Sequence, residues 1–311
     1  MDLPGGIPRE RNPLVIWRVV DGKPGHVNQT RGLLRALREI TAVEECVIDT
    51  TQTSLFTAIG AGRWNGQDTF TRPDLLIGAG HRTHYWLLAG RFWRGGRSVV
   101  LMKPTFPGSW FDLCVVSKHD GWSGRSNAFE IRGVLNAVQP SDAHDSRRGL
   151  ILMGGPSKHA TWANDSIANQ VSRIANAQPG VQWKLTTSRR TPPDFLRNIG
   201  APPANLTLVP VEQTDADWVA SHLAESAQVW VSPDSVSMVY EALTSGAAVG
   251  LLDLALHPRS KLIAGLRGLV EEKTVTAFEK HRIEDPLPPA RERLDEASRC
   301  ARWLLAHWFP K

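Results

Sequence analysis

The sequence predicts two Rossmann-like α/β domains facing a central cleft. Three observations carry that expectation. Apolar runs of strand length alternate with helix-period stretches along the chain, the pattern of parallel βαβ units. The order strand, Gly-Pro loop, helix occurs twice, opening once at Leu14 and again at Gly149. The 311 residues exceed the usual length of one domain, about 150 residues.

Leu14-Val15-Ile16-Trp17-Arg18-Val19-Val20 is a continuous apolar run between Pro13 and Asp21-Gly22, as expected of a strand buried on both faces. A loop from Asp21 to His26 leads to a helix over about 28–39, with Leu33, Leu34, Leu37 and Ile40 at helical spacing. Further strands are expected at 46–48, 74–81, 98–102 and 113–116. The polar, aperiodic stretch 139–148 reads as a linker. Beyond it, strands are expected at 149–153, 181–187, 227–231 and 248–252, with helices near 164–175 and 236–244. The second of these stops at Ser245-Gly246, a usual C-terminal cap. Residues 290–308 form an amphipathic stripe of Leu294, Ala297, Ala301, Leu304, Leu305 and Trp308, expected to pack back on the body, with a membrane-surface helix as the alternative. The expected domains are two Rossmann-like units, 12–138 and 149–285, and a terminal helix in 288–311.

Composition excludes several classes. Hydrophobic residues make up 41% and charged residues 22%, a globular mixture. No stretch approaches the ~18 apolar residues of a membrane span, and the first residues lack the features of a secretory signal. Cys46, Cys114 and Cys300 are odd in number and lack metal-ligand spacing, so they read as reduced cytosolic thiols. The net charge of +5 suits anionic ligands; nucleic acid is not expected, since nothing but charge supports it. Twelve Trp against two Tyr read mostly as core or domain-interface filler, with sugar stacking or a membrane-surface role as the alternatives.

The unusual clusters fall at expected strand ends, where open α/β sheets bind ligands. In Ser232-Pro233-Asp234-Ser235-Val236-Ser237-Met238, Asp234 or Ser235 is expected to cap a helix whose first amides suit a phosphate oxygen. Glu241 lies two turns on, placed for ribose hydroxyls. Gly154-Gly155-Pro156-Ser157-Lys158-His159 is expected to bring backbone amides and Lys158 to a diphosphate, without the spacing of a P-loop. Thr187, Ser188 and Arg189 end the next strand. In the first half, Asp21-Gly22-Lys23-Pro24-Gly25-His26-Val27-Asn28-Gln29 offers glycines for close approach. It also offers His26, or Asp21, to deprotonate a hydroxyl. Gly80, His81 and Lys103 close the same rim, while His84 and His119 read as surface or packing residues. The third glycine of a dinucleotide fingerprint and the Tyr-x-x-x-Lys pair are both missing, against a nicotinamide cofactor. No cofactor or metal is expected.

The loop Asp21 to Gln29, together with Asp234-Ser235-Val236-Ser237-Met238 and Glu241-Ala242, resembles the mitochondrial fission ELM family over about 13–285. The resemblance implies a GT-B fold, similar to the enzyme that adds N-acetylglucosamine to the lipid-linked peptidoglycan precursor. It places Gly25 and His26 on the acceptor side and Ser157, Lys158, Ser235, Ser237 and Glu241 on the donor side. Bacterial members resemble glycosyltransferases and are sometimes labelled nucleoside-diphosphate-sugar epimerases, whereas plant members are fission factors at the mitochondrial surface. The expected activity is metal-independent glycosyl transfer from a nucleotide sugar to a lipid-linked or envelope glycan, with inversion, in the cytoplasm or at an acidic membrane surface. The alternative is a non-catalytic, membrane-associated adaptor that keeps the fold.

Overall fold

A computed structural model of the chain describes residues 12–52, 54–56, 71–122, 124–158, 160–257 and 261–310. His159 lies outside the described residues, as does the side chain of His119. The chain divides into two compact units, Met1–Ile131 with Ala297–Lys311, and Arg132–Glu296.

In the first unit, β1 (Leu14–Val20) leads through α1 (Pro24–Arg38) to β2 (Val43–Asp49), followed by β3 (Leu75–Ala79), α2 (His81–Arg94), β4 (Arg97–Leu101), β5 (Leu113–Ser117) and β6 (Ala128–Ile131). The strands form one parallel sheet in the order β2-β1-β3-β4-β5-β6. All seven residues of β1 are buried, as its unbroken apolar run requires. Val15, Trp17, Val19, Leu76, Val100 and Cys114 form one core face with Trp86 and Leu87 of α2.

The second unit repeats the scheme. Its elements are β7 (Asp145–Leu152), β8 (Ala160–Thr161), α3 (Asn164–Ala177), β9 (Gln182–Thr186), α4 (Phe195–Asn198), β10 (Leu206–Val209), α5 (Trp218–Glu225), β11 (Ser226–Val231), α6 (Val236–Ser245), β12 (Ala248–Leu251), β13 (Ala255–Leu256), α7 (Lys261–Glu271) and β14 (Thr276–Ala277). The main sheet runs β10-β9-β7-β11-β12-β14, all parallel. Its two faces follow the period of two. Ile151, Trp183 and Trp230 pack with α3 residues Ile167, Val171 and Ile174. Leu150, Leu152, Val229 and Val231 pack with Val239 and Leu243 of α6 and Leu266 of α7.

Several boundaries differ from the sequence reading. Helix α1 begins at Pro24 rather than near residue 28, because proline needs no partner for a missing N–H in a first turn. The expected linker at 139–148 lies within the second unit, and its last residues already belong to β7. Strands β6 and β10 stand at sheet edges and are four residues long, too short to leave a periodic signal. The terminal helix α8 (Glu296–Trp308) starts later than residue 290. Before it, Arg293 is held by the Ser141 carbonyl and Asp142, and Leu294 is buried in the second unit. The stripe of α8 is buried at Ala297, Cys300, Ala301 and Leu304, and Trp303 lies 5.5 Å from Phe129 in the same unit.

Tryptophan serves the sheets in a specific way. Trp183 and Gly149 are register partners on β9 and β7, as are Trp230 and Gly250 on β11 and β12. Each fully buried indole covers the bare backbone of its glycine. A Cβ added at Gly149 or Gly250 would lie 2.3 or 2.4 Å from the ring. Gly149→Ala and Gly250→Ala are each expected to destabilise the second unit by about 1–3 kcal/mol. The check is a lower urea midpoint at unchanged slope; an unchanged midpoint would show that the indole can move aside.

Candidate active site

Ligands of open parallel sheets bind beyond the carboxyl ends of the strands, where the strand order reverses. In each unit that point lies beside the first strand, β1 between β2 and β3, and β7 between β9 and β11. Both sets of singled-out residues fall there.

In the first unit, Val19 pairs with Gly78, so two residues further on Asp21 and Gly80 stand at one level. The Asp21 side chain is fully buried. It accepts the Lys23 amide at 3.2 Å, and its Oδ2 lies 2.9 Å from His26 Nδ1. A buried carboxylate demands such partners. The pairing sets the imidazole with Nδ1–H toward Asp21 and the lone pair of Nε2 away from it. Because α1 begins early, His26 occupies its first turn rather than a preceding loop. Gly80 has φ of +87°, and a Cβ there would meet the His26 ring at 2.3 Å and Asp21 Oδ2 at 3.0 Å. Glycine is therefore required on two counts. Gly22, Lys23 and Gly25 are exposed beside the pair in the chain, and Gln29 is buried one turn on. His81 and Lys103 are exposed at the start of α2 and just past β4.

In the second unit, Leu152 pairs with Val231 and with Thr186, which brings 154–155, 188–191 and 232–234 together. Ser232 Oγ accepts the Gly154 amide at 2.7 Å, and Asp234 Oδ2 accepts the Gly155 amide at 2.9 Å. Those amides are thus consumed within the protein, which corrects the expectation that the Gly154-Gly155 turn presents them to a diphosphate. Ser188 Oγ donates to the Gly154 carbonyl at 2.7 Å, and Thr191 donates to the same oxygen. Ser188 therefore braces the turn. Asp234 is not a helix cap: its side chain is fully buried and bonds Arg190 Nη2 at 3.0 Å as well as Gly155, and its Oδ1 has no hydrogen-bond partner. Ser235 occupies the N-cap position of α6 without a side-chain bond. The first-turn amides of Val236, Ser237 and Met238 thus lack a capping side chain.

The remaining residues singled out in this unit differ in exposure. Lys158, Arg189 and Ser237 are exposed, and Ser157, Met238 and Glu241 are half-buried. Arg190, half-exposed over Asp234, was missed in the sequence, as was Ser232. The partners lie 44 and 78 residues apart, and no local pattern marks them. The thiols take no part: burial pushes Cys46 and Cys114 up to about 12, with Glu45 and Glu44 adding to the effect on Cys46. Among the described residues no cluster of three or more His, Cys, Asp and Glu side chains could hold a metal ion.

A family model described as mitochondrial fission ELM1 matches residues 24–308. The comparison with curated proteins gives no match. Among solved structures, a Listeria monocytogenes protein described as a UDP-N-acetylglucosamine 2-epimerase is similar at 14% identity, over 96% of this chain and 98% of that one, with a TM-score of 0.58. S. aureus MnaA, solved with UDP, is similar at 14% identity over 94% of this chain and 88% of that one, with a TM-score of 0.51. These likenesses show a shared GT-B fold of two parallel sheets.

His84 is buried under this rim, between Phe106 and Phe111 and 3.2 Å from Thr105 Oγ1. Burial, with His81 nearby, lowers its pKa from 6.5 to about 4. The folded state therefore resists a proton that the unfolded chain accepts below pH 6.5. Stability is expected to fall between pH 6.5 and about 4, by roughly 1 kcal/mol per pH unit. Urea melts across that range should show the slope, and His84→Phe should flatten it.

Proposed function

Because the chain belongs to the mitochondrial fission ELM1 family and has a polar constellation at the switch point of each sheet, we propose that it is a glycosyltransferase. Its donor is a nucleoside-diphosphate sugar, and its acceptor is a hydroxyl of a lipid-linked or envelope glycan. The observation that carries this reading is the pair of Asp21 and His26. A fully buried carboxylate 2.9 Å from Nδ1 leaves Nε2 as the proton acceptor. His26 takes the acceptor hydroxyl proton on Nε2 as that oxygen forms its bond to the anomeric carbon of the donor. The bond from that carbon to the phosphate oxygen breaks, and the electron pair leaves with the diphosphate. Asp21 stabilises the imidazolium that results.

The second unit carries groups suited to a diphosphate. The uncapped first turn of α6 offers amides and the positive end of a helix dipole, and Arg190 and Lys158 add cations. Fixed dipoles of this kind can stabilise a leaving group without a divalent ion. Glu241, two turns along α6, suits ribose hydroxyls. The UDP in the S. aureus structure of the same fold supports a nucleoside diphosphate as ligand.

Calorimetry with nucleoside diphosphates in the presence of a chelator tests the donor site. Lys158→Ala, Arg190→Ala and Glu241→Ala are each expected to raise Kd about tenfold, ~1.4 kcal/mol. Unchanged affinity in all three would overturn this map of the donor site. His26→Ala is expected to keep nucleotide affinity while lowering the rate of donor consumption with a glycan acceptor by about 10²–10⁴. A His26→Ala protein that turns over at the normal rate would remove the assigned base.

A further inference from the structure

The outer face of α2 is built the wrong way round for a helix in water. Trp86, Leu87 and Gly90 are buried against the sheet, yet the opposite face carries Tyr85 and Phe92, seven residues apart and so stacked on one side, with Trp93 beside them. These side chains are 58%, 79% and 59% exposed. The apolar surface continues onto the segment after β4. Phe106 lies 4.9 Å from Tyr85 and 5.6 Å from Trp110, and the Trp110 carbonyl accepts Arg91 Nη1 at 2.8 Å. A connected aromatic surface of this kind marks an interaction site.

Charge selects the occupant. Residues 81–111 contain Arg82, Arg91, Arg94, Arg97 and Lys103 but no Asp or Glu; the next residue, Asp112, pairs with Arg91 at 3.0 Å, which leaves the others to set the charge. Exposed Trp, Tyr and Phe interleaved with cations fit a surface that is anionic outside and apolar just beneath. The 14 residues of α2 extend about 21 Å, too short to cross the ~30 Å core of a bilayer. We infer that α2 and the segment 102–111 form an interfacial docking surface for anionic membranes, with the helix lying along the headgroups. The expected alternative, the stripe on α8, is less suited to this role because Ala297, Ala301 and Leu304 are buried and Leu305 and Trp308 are half-buried. Docking stands without the transferase reading, since it needs no donor, acceptor or turnover.

The experiment is flotation of the full chain with vesicles of phosphatidylcholine, with or without phosphatidylglycerol. The expected result is recovery with the anionic vesicles alone, weakening as salt is raised. Phe92→Ser/Trp93→Ser is expected to cut the bound fraction at least about tenfold, which corresponds to ~1.4 kcal/mol. Arg82→Glu leaves the aromatic face intact and is expected to weaken binding in the same direction, so the test stays decisive if the double variant misfolds. Failure of the wild-type chain to float, equal recovery with neutral vesicles, or unchanged binding in Arg82→Glu would overturn the proposal. So would sedimentation showing a dimer that the double variant dissociates without any vesicle binding, which would assign the face to a second copy of the chain.

Discussion

Two carboxylates removed from water govern both halves of the molecule. Asp21 and Asp234 each have a fully buried side chain, an arrangement that costs several kcal/mol unless hydrogen bonds and a cation answer it. The answers are alike. Each carboxylate takes one amide of an adjoining or neighbouring turn, Lys23 or Gly155, and one side chain able to carry positive charge, His26 or Arg190. Parallel register delivers the partners of Asp234, because residues about equally far past paired strand positions arrive side by side, whereas those of Asp21 lie two and five residues along the chain. The turns at the two switch points are therefore held by electrostatics as much as by packing, and the groups left facing outward are set by what faces inward.

This division explains why the turn at 154–155 differs from a phosphate-binding glycine loop. Gly154 and Gly155 are small to admit Asp234 and the Arg190 carbonyl, which a Cβ would approach to 2.1 and 2.2 Å. Their amides serve the fold, and the positive potential is left to the start of α6 and to Arg190.

Much of this architecture was legible in the residues. The run from Leu14 to Val20 is apolar without interruption because both faces of β1 are covered, and the glycine-bearing turns after β1 and β7 sit where the topology reverses. The stretch Asp234 to Glu241 also announced a helix start at a strand end. What escaped depends on distance along the chain. Nothing near Arg190 signals Asp234, and nothing near Gly154 signals Ser232, since those contacts exist only once β7, β9 and β11 align. Asp234 resembles a cap locally, but burial against the Gly155 turn engages its Oδ2 with the Gly155 amide and Arg190 instead of the helix. The linker was misplaced because Asp145 to Arg148 lie at the exposed beginning of β7, where a strand needs no apolar face.

The indoles of Trp183 and Trp230 each fill a place that a neighbouring strand vacates with glycine. Space is thereby shared between chemically unlike residues far apart in the chain, so neither position evolves freely. A larger residue at 149 becomes tolerable after 183 shrinks, and the same holds for 250 and 230. Drift in these sheets should proceed through coupled exchanges of volume, leaving paired substitutions as the trace of ancestry where single ones are purged.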